Sequence, residues 1–76
     1  MSKINVQETA ERIAQDIASG CQPITLQSGR EMAGDVFYSS VWSRVISAVG
    51  KRNAARFSLS SAVNDRLRDM NIYVHS

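Results

Sequence analysis

Apolar positions recur along the chain in three helical stripes separated by polar or glycine-bearing breaks. The first runs from Asn5 to Ser19, where Val6, Ala10, Ile13, Ala14 and Ile17 fall at i, i+4, i+7, i+8 and i+11, one face of a helix. Asn5 suits an N-cap, Glu8 stands in the reciprocal third position, and Gly20 is placed to end the helix as a left-handed C′ residue. Glu8, Glu11, Arg12, Gln15 and Asp16 are left to water, so this helix reads as scaffold. The second stripe is Val41, Trp42, Val45, Ile46 and Val49, inside the long periodic run from Thr25 to Val49 that holds the only Trp. The third is Leu59, Val63, Leu67 and Met70, with Ser58 or Ser60 as cap and Asn71 as C′ residue. Ile72-Tyr73-Val74 is a β-branched and aromatic triplet that predicts a closing strand.

Between the first two stripes the pattern admits more than one reading. Pro23 biases Gln22 toward extended conformations, and Ile24-Thr25-Leu26 reads either as a short strand or as the entry to a helix. Thr25 or Ser28 would cap a short helix, with Glu31 three residues beyond Ser28, and Gly34-Asp35 supplies turn chemistry. A second helix would then begin near Tyr38 with Ser39 or Ser40 as cap, and the pair would form a helix-turn-helix. The same apolar positions also fit one continuous helix from Gly29 to Val49, in which Gly34 would cost about 1 kcal/mol relative to Ala. Gly50-Lys51-Arg52-Asn53 closes the stripe with a glycine stop and two cations, and Ala54 to Phe57 reads as a short strand or turn.

A chain of 76 residues makes one domain that buries only about 60% of its unfolded surface, so a homodimer would add stability. The apolar share of 43% against 21% charged residues fits a folded protein rather than a disordered one. Charge alters the picture more by its distribution than by its net value of +2. Residues 1–40 hold three cations and five carboxylates, a net of −2, whereas residues 41–76 hold six cations and two carboxylates, a net of +4. A basic half suits a phosphate-facing surface, although scattered arginines also make an ordinary solvated face.

Catalytic and metal chemistry lack their parts. One Cys and one His exclude Cys/His metal spacing, no His stands near Cys21 to activate it, and His75 reads as a solvated side chain beside the terminus. The glycines at 20, 29, 34 and 50 are too far apart for a phosphate-cradling loop. An enzyme is therefore the least favoured class, and no cofactor is expected. The opening Met1-Ser2-Lys3-Ile4-Asn5 lacks the apolar core of a signal peptide, and no run reaches the ~18 apolar residues of a membrane span. A cytoplasmic protein with no membrane partner is expected.

The run from Glu8 to Val49, with Gly20, Pro23, Thr25, Arg30, Gly34 and Ser39-Ser40-Val41, resembles the N-terminal DNA-binding domain of plasmid KfrA-type regulators. In this chain Ile24 stands between Pro23 and Thr25, and Asp35-Val36-Phe37-Tyr38 stands where that family has a short Gly-Ser turn. The resemblance implies a small helix-turn-helix domain of phage, plasmid or bacterial type that binds double-stranded DNA. The expected fold is mainly α, three to four helices, with room for a two-stranded β element pairing Ile24–Leu26 with Ile72–Val74. Arg30, Ser39, Ser40, Ser43 and Arg44 would address the groove, while Lys51, Arg52 and Arg56 would hold phosphates. Ser60, Ser61, Asn64, Arg66 and Arg68 form a second candidate face, opposed by Asp65 and Asp69 on the same side. The rival function is a protein-binding module, such as an inhibitor of a host nucleic-acid-binding complex. Exposed Phe37, Tyr38, Trp42 or Tyr73 would favour that rival.

Overall fold

The structure, a computed structural model, describes residues 4–76; the reading of Met1-Ser2-Lys3 lies outside them. The chain is mainly helical: α1 (Val6–Ser19), β1 (Ile24–Thr25), β2 (Glu31–Met32), β3 (Gly34–Phe37), α2 (Tyr38–Val49), α3 (Lys51–Arg56), α4 (Leu59–Asp69) and β4 (Ile72–His75). β1 and β2 form an antiparallel hairpin, and β3 pairs with β4 in parallel, Gly34 beside Ile72 through Phe37 beside His75.

Local chemistry explains α1. The Asn5 Oδ1 accepts a 3.0 Å bond from the Glu8 backbone N–H, and its Nδ2 donates 3.0 Å to the Glu8 carboxylate. The expected stripe is the buried one, with Ala10, Ile13, Ala14 and Ile17 inside and Val6 half-buried. Gly20 ends the helix but keeps right-handed geometry (φ −93°, ψ −2°) rather than the left-handed turn expected of it. Its N–H returns to the Ile17 carbonyl, so the last turn tightens and no sign change of φ is needed.

Residues 24–37 correct the expectation most. Neither the first helix of the proposed helix-turn-helix nor the continuous helix from Gly29 to Val49 forms. The segment turns back at Leu26–Arg30, where the Leu26 N–H bonds the Arg30 carbonyl at 2.8 Å and Gly29 adopts φ +91°. The partners also differ from those expected: Ile24–Thr25 pairs with Glu31–Met32, and Ile72–His75 pairs with Gly34–Phe37. Residues 51–56 form a short helix, which takes in 54–56 of the strand or turn expected from Ala54 to Phe57. It is separated from α2 by Gly50 at φ +85°, ψ 156°, a backbone region open almost only to glycine.

The core lies between α1 and α4, whose packing is the most extensive in the molecule. Leu59, Val63 and Leu67 of α4 and Val41 and Val45 of α2 are fully buried, while Met70, Trp42, Ile46 and Val49 are half-buried at its margin. Asn71 follows α4 at φ +64°, the C′ role expected of it. Ser58 precedes α4 in left-handed geometry (φ 50°, ψ 43°) but makes no side-chain capping bond. Ser60 is buried, and its hydroxyl has no partner among the described residues. Removing an unpaired buried hydroxyl relieves its desolvation cost, and Ala is the better helix former. Ser60→Ala is therefore expected to stabilise the domain by about 1 kcal/mol in denaturant unfolding; a loss of stability would mean that the hydroxyl is bonded in solution.

Glu11 and Arg66 tie α1 to α4. The guanidinium donates through Nε to one carboxylate oxygen and through Nη2, at 3.2 Å, to the other. Glu11 thus does not simply face water, and Arg66 is removed from the second candidate DNA face. Arg66, helped by the Gln15 amide, holds the Glu11 carboxyl below its ordinary value. A carboxyl whose folded pKa is depressed contributes stability above its unfolded pKa and loses it as pH falls through the folded one. Glu11→Gln is therefore expected to lower the midpoint of thermal unfolding at neutral pH and to flatten its fall below about pH 4. An acid limb as steep as that of the parent chain would remove Glu11 from the explanation.

Candidate nucleic-acid interface

The eight residues expected to contact DNA are all exposed, but the fold divides them. Arg30 leaves the hairpin turn and belongs to a different groove from α2. Within α2, Ser40 and Arg44 face the end of α1 and the start of β3, where they line a shallow groove of about 300 Å³ with Ile17, Gly20, Cys21, Asp35 and Val36. The Arg44 Nη2 lies 2.7 Å from Asp16 Oδ2, with half or more of both side chains in water, at 51% and 66%. An exposed pair of this kind contributes at most about 1 kcal/mol, so Arg44 is held only loosely. Ser39 and Ser43, one turn apart, point to solvent on α2.

Lys51, Arg52 and Arg56 occupy α3, and none of them forms an ion pair among the described residues. Lys51 and Arg52 directly follow the carbonyl end of α2, which favours cations there. That end is closed by the Gly50 N–H to the Ile46 carbonyl at 2.8 Å and by the Asn53 amide to the Val49 carbonyl at 3.0 Å. Arg52 and Arg56 are four residues apart and share a side of α3, and the Arg56 guanidinium stands 5.6 Å from the Phe57 ring centre. From Val36 to Asn64 the chain contains no carboxylate, so α2 and α3, which pack together, carry only positive charge.

α4 makes a poor groove-reading element. Its exposed residues are Ser61, Asp65, Arg68 and Asp69, so two of four are carboxylates that would face phosphate. Arg68, Asn64, Asn71 and Tyr73 instead join Arg30 around a groove of about 460 Å³ beside β4.

One cluster goes beyond the sequence reading. Asp35, Phe37, Tyr73 and His75 alternate along β3 and β4 and share the outer face of that pair. The His75 Nε2 sits 2.7 Å from Asp35 Oδ2, and the ring lies 4.9 Å from Phe37 and 4.5 Å, edge-on, from Tyr73. His75 is therefore a half-buried, paired side chain rather than a free terminal one. The two-residue alternation in Asp35-Val36-Phe37 and Tyr73-Val74-His75 was the available signal, but only the parallel pairing makes it one surface. Phe37, Tyr38 and Tyr73 are exposed, whereas Trp42 is half-buried.

Cys21 donates weakly to the Ile17 and Asp35 carbonyls, and burial, with the nearby Asp35 charge, pushes its thiol up. It is a packing residue poorly suited to nucleophilic chemistry. No cluster of three or more metal-ligating side chains occurs among the described residues, and no helix there is long and apolar enough to cross a membrane. Comparison with protein-family models, curated proteins and solved structures finds no match.

Proposed function

We propose that the chain is a small nucleic-acid-binding regulator that approaches duplex DNA with α2 and α3. One observation carries the reading: 29 consecutive residues, Val36 to Asn64, hold four cations and no carboxylate, and all four cations lie on α2 and α3, which pack together. Lys51, Arg52 and Arg56 supply the phosphate contacts. Ser39 and Ser43, short hydroxyl side chains on the outward side of α2, allow close approach to a groove. Arg44 joins them by leaving Asp16. Arg30 is dropped from this surface because its hairpin belongs to another groove, and a binding mode built on a helix before Gly34 is dropped with it.

Electrophoretic mobility shifts with duplex DNA across a salt series test the reading. The affinity should fall with salt at a log–log slope of about −0.9 per phosphate neutralised. No complex at low salt would refute it.

A second reading, the protein-binding module, is favoured by the exposed Phe37, Tyr38 and Tyr73, since aromatic side chains anchor protein interfaces.

A further inference from the structure

β4 has a strand partner on one side only, because the β3–β4 sheet ends with it. Along a strand, every second residue turns its N–H and C=O to the same side, so part of the β4 backbone points away from β3. Ile72, Tyr73 and Val74 line the groove of about 460 Å³, whose remaining walls are Arg30 and Met32 of the hairpin side and Asn64 and Arg68 of α4, with Asn71 at the end. No residue of β3 lines it, whereas four consecutive residues, Asn71 to Val74, do, so the groove borders the strand along its backbone rather than on one face alone.

The charge of this groove is one-sided. Arg30 and Arg68 are the only charged side chains in its walls, both are exposed, and neither is ion-paired among the described residues. An open strand edge seeks backbone partners, and two unpaired guanidiniums beside it select for carboxylates. We propose that this groove captures an extended acidic peptide segment of a partner protein, which adds as a strand to β4 and places its carboxylates against Arg30 and Arg68. Strand addition divides the work in the usual way, with main-chain bonds giving affinity and side-chain pockets giving selectivity. Met32, Ile72 and Val74 offer apolar wall to the residues between the acids. A second copy of this chain fits poorly, because edge-to-edge pairing would bring both copies' Arg30 and Arg68 into one groove. Single-stranded nucleic acid fits less well than peptide, because a strand edge offers backbone pairing and the groove has one aromatic ring, Tyr73, for stacking. The proposal is independent of the α2–α3 surface.

The test uses the full chain and a fluorescein-labelled eight-residue peptide of alternating Glu and Val. Its Lys/Val counterpart, a version N-methylated at alternate amides, and an oligothymidylate serve as comparison probes. Fluorescence anisotropy should give saturable binding of the Glu peptide, at least tenfold weaker for the N-methylated form and undetectable for the Lys peptide. Arg30→Glu with Arg68→Glu, both exposed positions, should lower the affinity at least tenfold while circular dichroism stays unchanged. Lys51→Gln/Arg52→Gln/Arg56→Gln should leave it within twofold, which separates this site from the proposed DNA surface. Hydrogen exchange of the Ile72–Val74 amides should slow when the Glu peptide is bound. Equal binding of the N-methylated peptide, no effect of the charge reversals, or oligothymidylate binding more tightly through the same two arginines would each overturn the proposal.

Discussion

Gly34→Ala is expected to destabilise the domain by on the order of 3 kcal/mol or more, the upper part of the range for overpacked cores. A Cβ at Gly34 would stand 2.3 Å from the Cys21 Cβ and 3.0 Å from its Sγ. Both Cβ atoms are fixed by their backbones, so no side-chain rotation relieves the clash, and either β3 or the segment after α1 must move. Gly34 is buried and opens the strand that pairs with β4, so displacement spreads to Ile72 in the core. For a domain of this size, each kcal/mol shifts the thermal midpoint by roughly 4–8 °C, giving a fall of roughly 12 °C or more. Adding Cys21→Gly to Gly34→Ala removes the opposing Cβ and should recover most of the loss, a coupling that a double-mutant cycle measures. A midpoint for Gly34→Ala within 3 °C or so of the parent would mean that β3 does not pack on Cys21 as described.

That contact also illustrates what the sequence concealed. Gly34 reads locally as a turn residue, yet its role is close packing against a residue 13 positions away. The parallel pairing of β3 with β4 joins positions 38 apart, and no local pattern announces it. α1, by contrast, was legible because its cap, stripe and stop lie within 16 residues, and α4 because Leu59, Val63 and Leu67 keep strict helical spacing. Ser28 to Gly34 misled for a physical reason: Ser28 with Glu31 has capping-box spacing, while Ser28-Gly29 is also turn chemistry, and the hairpin took the second option. Residues 51–56 hold two alanines, two arginines and a lysine, good helix formers whose signal was masked by the short length. The candidate site was legible as residue types and charge, whereas its grouping was not. Arg30 went to the wall of the β4 groove, and Arg66 and Arg44 went to ion pairs with Glu11 and Asp16, placements set only in three dimensions.

Lys51→Gln/Arg52→Gln/Arg56→Gln is expected to weaken duplex DNA binding about 100-fold while leaving the fold intact. Each phosphate neutralised contributes counterion release of about 0.9 RT ln(1/[salt]), roughly 1 kcal/mol at about 0.15 M monovalent salt. Three such contacts sum to roughly 3 kcal/mol, and the log–log salt slope should become shallower by about 2.7. The fold should tolerate the change, because all three side chains are exposed, none is ion-paired among the described residues, and Gln is a competent helix former. Arg44→Ala provides the contrast. It abandons an exposed pair with Asp16, so stability should change by less than about 1 kcal/mol. If Arg44 reaches a base edge, discrimination between DNA sequences should fall by roughly 1–3 kcal/mol, with less effect on non-specific affinity. A triple variant that bound duplex as tightly as the parent, with the same salt slope, would exclude α3 as the phosphate-binding element. The exposed Phe37, Tyr38 and Tyr73 would then be the surface to test first, because a protein interface anchored by those rings needs none of the α3 cations.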